Sequence, residues 1–89
     1  MYRIETITHK DGTPRTDGKY PERIGSIIHL DYFGTGKVAY LDYLFDNKGN
    51  KKDGSLKTST VMASHFCDDC NMYIVETMNS IYYLKEIVE

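Results

Sequence analysis

Apolar and polar side chains alternate along most of the chain, and clusters of Gly, Asn and Asp interrupt the alternation. A period of two is typical of β-strands with one buried face, and the interrupting residues are typical of turns. The pattern predicts six strands, over residues 2–8, 23–30, 37–45, 56–63, 72–77 and 81–88. Short strands at this spacing predict an all-β fold, either a small five- to six-stranded barrel or a strongly bent antiparallel sheet, SH3-like or OB-like.

For two of the predicted strands, the sequence pattern leaves open which face is buried. In residues 37–45, the set without a charge is the better core face, and it contains Ala39, Leu41, Tyr43 and Phe45. Residues 81–88 also fit a helical spacing, but the run Ile-Tyr-Tyr at their start favours a strand. A strand there has apolar residues on both faces, which predicts that a second copy or another protein covers one of them.

The chain of 89 residues is long enough for one modest core and is expected to form a single β domain over residues 1–89. Its longest polar connection, around residues 10–22, contains two Asp-Gly steps and is expected to be mobile. No apolar run approaches the roughly 18 residues of a membrane span. The first residues contain no apolar signal core, so we expect a cytoplasmic protein with free thiols.

The sharpest local motif is His65-Phe66-Cys67-Asp68-Asp69-Cys70. It places three candidate zinc ligands, His65, Cys67 and Cys70, within a short turn, and two thiolates at this spacing can reach one tetrahedral ion. A closed site needs a fourth ligand, for which the sequence offers only the two other histidines as typical candidates. The alternative is a hairpin with ordinary thiols and no cofactor. Redox chemistry is disfavoured, because the two aspartates between the cysteines oppose a thiolate.

Enzyme signatures are otherwise missing from the sequence: it has no G-x-S-x-G motif, no P-loop and no dinucleotide-binding glycine fingerprint. We therefore expect a non-enzymatic protein. A net charge of −2 argues against duplex nucleic acid as the partner. A single-stranded nucleic acid is the alternative ligand, and the candidate platform consists of two tyrosines and nearby lysines: Lys37, Tyr40, Tyr43, Lys48, Lys51 and Lys52.

Tyrosine is the dominant aromatic residue, with eight copies against three Phe and no Trp. Adjacent strand residues point to opposite faces, so some of these rings must lie outside the core, where tyrosine supplies contact area at low entropic cost. We therefore expect a protein-binding surface, and its candidate residues are Tyr73, Tyr82, Tyr83, Asp68 and Asp69. The protein bound at this surface includes a second copy of the chain, which would form a homodimer.

Two C-terminal segments resemble a known pattern. Residues 56–61 (LKTSTV) and 75–84 (VETMNSIYYL) are similar to the pattern T-S-x-V … V-x-T-x-N-S-x-Y-x-L. That pattern occurs in short, mostly uncharacterised proteins of bacteriophages and mobile elements of gut bacteria. The resemblance implies a small accessory protein of a bacterial cytoplasm whose expected target is a host protein, and it carries over no active site. Thr77, Asn79 and Ser80 are residue types that satisfy a tight turn through their own side chains.

Overall fold

The computed structural model describes residues 1–32 and 34–87, and it contains six antiparallel strands that close into one barrel. Strand order follows chain order, and the last strand pairs with the first. The elements are β1 (Tyr2–Thr8), α1 (Tyr20–Arg23), β2 (Ile27–Tyr32), β3 (Val38–Phe45), β4 (Ser55–Cys67), β5 (Met72–Thr77) and β6 (Ile81–Glu86). The predicted all-β fold and its antiparallel barrel are confirmed.

The long strand β4 and several bulges allow this short sheet to close. The first half of β4 pairs with β3 and its second half pairs with β5, and the register shifts between Val61 and Ala63 at the changeover. The pairing of β1 with β6 also shifts, between Ile4 and Thr6. Each bulge bends its strand and increases the local twist, which a closed barrel of six strands requires.

The barrel interior is filled by side chains from all six strands. Alternation along β6 illustrates this, since Tyr82 and Leu84 are buried while Ile81 and Tyr83 lie on the outside. The buried apolar core consists of Ile4, Ile7, Ile28, Ala39, Leu41, Val61, Val75, Tyr82 and Leu84. A packed interior of this kind leaves binding to the ends and the outer surface of the barrel.

Three predicted elements need correction, and the first is the strand expected over residues 56–63, which runs from Ser55 to Cys67 as β4. The strand expected over residues 23–30 begins only at Ile27, because Pro21 starts the short helix α1 and Gly25 turns the chain with a φ of +91°. The face predicted to be buried in β3 is correct at Ala39 and Leu41, but Phe45 is 36% exposed, since it is the last residue of β3 and lies at the end of the barrel. The last element is a strand as predicted, although it ends at Glu86, and residue 88 lies outside the described residues.

The polar connection between β1 and α1 is anchored to the barrel by hydrogen bonds. Arg15 N donates to Ile7 O at 2.9 Å, and His9 N donates to Thr13 O at 2.8 Å. These bonds extend the edge of β1 into a short antiparallel turn. The mobility expected for residues 10–22 stays a prediction. In the described residues, no helix is both long and apolar enough to cross a membrane.

Strand pairing defines two ends of the barrel. Thr8 pairs with Ile81, and Ile27 pairs with Phe45. We call this the α1 end, since α1, the loop 46–54 and the turn 77–80 lie here. At the opposite end, Tyr2 pairs with Glu86, and the turn 67–71 joins β4 to β5. We call this the cysteine end.

Candidate functional site

The segments 56–61 and 75–84 form one hydrogen-bonded unit at the α1 end. Thr77 Oγ1 donates to Ser80 O at 3.0 Å and accepts from Ser80 N at 3.1 Å. Asn79 N donates to Ser59 Oγ at 3.3 Å, which ties this turn to β4. Arg15 completes the unit, because its Nη1 donates to Ser80 Oγ at 2.7 Å and to Asn79 O at 3.1 Å. The side chains of Ser59, Thr77 and Ser80 are therefore used inside the fold, whereas Asn79 is exposed and contributes its backbone N–H and carbonyl.

Arginine and tyrosine side chains stack beside this turn. The guanidinium carbons of Arg15 and Arg23 lie 4.2 Å and 4.9 Å from the centroid of the Tyr20 ring. These are cation–π distances, and they order both cations against one ring. Beneath them lies Tyr82, which is 3% exposed. Burial is the main cause that raises the pKa of Tyr82 to about 12, and the charge of the nearby Tyr20 phenol adds to the rise. The Tyr82 phenol therefore stays protonated at neutral pH.

An open cleft of about 160 Å³ lies between α1 and the strands β3 and β4. Its wall contains three cations, one carboxylate, one aromatic ring and two smaller side chains: Lys19, Arg23, Lys52, Glu22, Tyr43, Ser55 and Leu56. The ammonium of Lys52 lies 4.1 Å from the centroid of the Tyr43 ring. Burial raises the pKa of Tyr43, while its contacts with Arg23 oppose that shift. We call this feature the cationic cleft.

A second cleft of about 340 Å³ adjoins the cationic cleft, since Glu22 and Lys52 line both. Its other walls come from the loop 46–54 and contain Asp46, Asn47 and Lys48. The Asp46 carboxylate accepts from the backbone N–H groups of Lys48 and Asn50, each at 2.9 Å. These bonds lower the pKa of Asp46 and give the loop a fixed shape.

The predicted nucleic-acid platform is only partly brought together. Tyr43, Lys48 and Lys52 line the two adjoining clefts. The other three residues line neither cleft: Lys37 precedes β3 and its carbonyl accepts from Val61 N at 2.8 Å, Tyr40 pairs with Asp31 and Lys57, and Lys51 forms an isolated β-bridge with Phe45. The sequence prediction also missed Lys19 and Arg23. Pro21 followed by Glu22 is a typical start of a helix, and this signal could have placed Lys19 and Arg23 at the two ends of α1.

Aromatic rings gather at the cysteine end. The Tyr73 ring lies at the centre, and its centroid is 6.1 Å from that of Tyr2 and 6.2 Å from those of Tyr32 and Phe66. All three contacts are edge-on, which is a favourable aromatic geometry. Ser64 Oγ donates to Tyr32 Oη at 2.9 Å, and Phe66 is 37% exposed. We call these four rings the aromatic mouth.

The predicted protein-binding residues divide between three places. Tyr73 belongs to the aromatic mouth, and Asp68 and Asp69 are exposed in the adjacent turn. Tyr83 lies on the outer face of β6, where it pairs with Ile74 and Thr6. The prediction is wrong for Tyr82, because this ring is in the core and offers no contact surface.

The two cysteines lie close together in the turn at this end. The hydrogen bond with Cys67 raises the pKa of the Cys70 thiol, and burial and the charge of Cys67 act in the same direction. Cys70 Sγ also donates to Cys67 O at 3.8 Å. His65 lies on β4, opposite Ile74. Over residues 1–32 and 34–87, no three His, Cys, Asp or Glu side chains are grouped to hold a metal ion. Zinc binding stays a prediction.

A carboxyl pair on the outer face of β2 and β3 was not predicted from the sequence. Asp31 and Asp42 share a hydrogen bond, which raises the pKa of Asp31, and burial and the charge of Asp42 contribute to the rise. The same bond lowers the pKa of Asp42, which also accepts a hydrogen bond from Ser55. Asp31 pairs with Tyr40, and Asp42 follows Tyr40 by two positions on the same strand, so the two carboxyl groups are diagonal neighbours across β2 and β3. The local sequence carries no signal for such a neighbour, and only the strand register reveals the pair. Neither carboxyl group lines one of the clefts.

Comparison of the chain with protein-family models, with curated proteins and with solved structures gave no match in any of the three.

Proposed function

We propose that this chain is a small non-catalytic barrel that binds another protein through its cysteine end. The observation that carries the proposal is the aromatic mouth, in which Phe66 is 37% exposed beside the acidic turn of Asp68 and Asp69. Exposed aromatic rings next to charged groups are typical of protein-binding surfaces. The filled interior supports binding at an end of the barrel.

Charge defines the chemistry of the partner. In the described part of the chain, Asp68 and Asp69 form no ion pair, although four other ion pairs occur. A segment that combines an arginine with an apolar side chain suits this surface, because a guanidinium binds carboxylates and also packs on aromatic rings. We therefore propose a basic, partly apolar segment of the partner as the bound element.

The cellular context is proposed from the resemblance alone. Proteins with the T-S-x-V … V-x-T-x-N-S-x-Y-x-L pattern are encoded by bacteriophages and mobile elements. On that basis the partner is a host protein in the bacterial cytoplasm, and the chain inhibits or modulates it. We further propose an SH3-like barrel, since an OB fold is a five-stranded Greek-key barrel and this sheet is a meander of six strands.

Site-specific crosslinking tests this proposal. A photoreactive phenylalanine analogue replaces Phe66 in one variant and Met62 in another, and each variant is expressed in the natural host. Met62 is the matched control, because it is 54% exposed and lies at the bulge of β4 outside the aromatic mouth. We expect one specific adduct from position 66 and none from position 62.

Affinity for the crosslinked partner is then measured with purified proteins. The variant Phe66→Ala is expected to weaken binding by roughly 2 kcal/mol or more, as for a central contact residue. The double variant Asp68→Asn and Asp69→Asn is expected to slow association and to reduce its salt dependence. Equal affinity for Phe66→Ala and Met62→Ala would contradict the proposed surface.

A second copy of the chain is the other proposed partner, and the outer face of β5 and β6 favours it. Ile74 and Tyr83 pair at the centre of this face, while Glu76 and Lys85 lie towards its opposite ends. A two-fold axis through this centre would pack Ile74 and Tyr83 of one copy against the same two residues of the other, as an isologous interface requires, and Glu76 would keep its ion pair with Lys10 at 2.6 Å. Sedimentation equilibrium at high concentration tests this. A dimer that Tyr83→Arg dissociates is expected, and a monomer for the unmodified protein refutes it.

A further inference from the structure

Among the residues that the structure describes, three cations that line the cationic cleft have no acidic partner. Lys10, Arg15 and Arg3 each form an ion pair with a carboxylate. In residues 1–32 and 34–87, no carboxylate is paired with Lys19, Arg23 or Lys52. Glu22 is the one carboxylate that lines this cleft, so its wall has an excess of positive charge.

Aromatic rings hold two of these cations in place. Arg23 packs over Tyr20 at 4.9 Å, and Lys52 packs over Tyr43 at 4.1 Å. Side chains that are ordered before binding lose less entropy when a ligand arrives. Gly25 and Asn47 bring the two sides of the region together, because an added Cβ at Gly25 would lie only 3.2 Å from Asn47 Cβ. The cations are thus positioned by the fold.

The sizes of the two clefts limit the ligand. Small-molecule sites commonly have volumes of roughly 300–1,000 Å³. The cationic cleft, at about 160 Å³, is too small for a whole ligand of that class and suits one compact anionic group. The adjoining cleft, at about 340 Å³, has room for the rest of the molecule.

We propose that the α1 end binds a phosphate monoester of mononucleotide size. Its phosphate lies among Lys19, Arg23 and Lys52, and its uncharged part lies in the adjoining cleft against the loop 46–54. A phosphate monoester carries up to two negative charges, which matches several cations better than a single carboxylate does. The planar guanidinium of Arg23 offers a donor pair that fits two phosphate oxygens.

This site lies at the opposite end of the barrel from the aromatic mouth, so the two proposals fail independently. It also differs from the predicted nucleic-acid platform, because Lys52 covers the Tyr43 ring and Tyr40 lies outside both clefts. The ligand is therefore recognised by its phosphate group, without stacking of a base on Tyr43.

The test is a titration at an ionic strength of about 0.15 M, at which charges outside the clefts are largely screened, followed by isothermal calorimetry and by amide chemical shifts. The probes are adenosine monophosphate, inorganic phosphate, adenosine and a short single-stranded oligonucleotide. We expect saturable binding of the monophosphate, weaker competition by inorganic phosphate, and at least roughly tenfold weaker binding of adenosine, which lacks the charged group. Shift changes are expected at α1 and at residues 47–56.

Charge-removing variants locate the site. Lys52→Gln and Arg23→Gln are each expected to weaken binding of the monophosphate by roughly tenfold or more. Lys51→Gln and Lys57→Gln are the matched controls, since neither lysine lines a cleft, and they are expected to change affinity less than about twofold. Arg23→Lys keeps the charge and is expected to give an intermediate affinity. Circular dichroism confirms that each variant is folded.

Four results overturn the proposal. These are no saturable binding of the monophosphate at about 10 mM, equal affinity for adenosine, equal losses in the control variants, or binding of the oligonucleotide alone. A monophosphate that binds no more tightly than inorganic phosphate refutes the part assigned to the second cleft.

Discussion

Thr58→Val tests why a threonine stands at the start of the T-S-x-V segment. The Thr58 hydroxyl accepts from Ala39 N at 2.9 Å and donates to Ser59 O at 2.7 Å. The register of β3 and β4 shifts between Val38 and Tyr40, so the N–H of Ala39 obtains a partner from this side chain. Valine has nearly the same shape as threonine but removes both hydrogen bonds.

The expected cost follows from the burial of both groups. Thr58 is 4% exposed and Ala39 is fully buried, so water cannot replace the lost partner of the N–H. A buried donor that is left unsatisfied costs roughly 1–3 kcal/mol. For a domain of this size, each kcal/mol corresponds to a fall in Tm of about 4–8 °C. We therefore expect Tm to fall by roughly 8–16 °C for a loss near 2 kcal/mol.

Urea unfolding with Thr60→Val as the matched control measures this cost. Thr60 lies in the same segment, is only partly buried and forms no side-chain hydrogen bond to the described residues. Thr60→Val is expected to stay within about 0.5 kcal/mol of the unmodified protein, and Thr58→Ser is expected to recover most of the loss. An unchanged m-value shows that the unfolded state is unaltered. Equal stability of the two valine variants would refute the reasoning.

Three further predictions concern the α1 end, the outer face and the cysteines. Gly25→Ala is expected to destabilise by roughly 1–3 kcal/mol through its positive φ, and by more than Gly36→Ala in urea unfolding, because only the former meets Asn47. The raised pKa of Asp31 means that the native state holds this proton more tightly than the unfolded state. The contribution of Asp31 to stability should therefore fall as pH rises through that pKa. The Tm of Asp31→Asn relative to that of the unmodified protein should accordingly rise from pH 3 to 7, whereas a constant difference excludes the pair with Asp42. Chelator is expected to leave Tm unchanged, and a large fall would instead support zinc at the cysteines.

Local sequence pattern was sufficient for most of the strands but failed where the chain leaves the barrel. The bounds of β1 and β5 match the predicted ranges, although neither strand keeps a strict period of two. Ile4 and Ile7 are both buried because a bulge lies between them, and β5 begins with four consecutive apolar residues. Residues 23–30 were expected to continue as a strand because their apolar content is high. Pro21 and the left-handed conformation of Gly25 override that content, so Arg23 turns into the cationic cleft.

The misplacement of Tyr82 has a different physical reason. Tyr82 and Tyr83 have the same side chain, and alternation shows only that they face opposite ways. Which of them is buried depends on the pairing of Tyr82 with Val75 and Ile7, two core residues from other strands. Register across three strands is a non-local property, so the choice could not be made from the segment itself.

Net charge averages over two ends of the barrel that differ in composition. The value of −2 argues against nucleic acid as a partner of the chain as a whole. The cationic cleft gathers three cations beside a single carboxylate, while Asp68 and Asp69 lie at the opposite end. Because the interior is filled, a ligand meets one end at a time, and screening over about 8–10 Å separates the two fields. Electrostatic arguments about a closed barrel of this size therefore depend on the charge of each end.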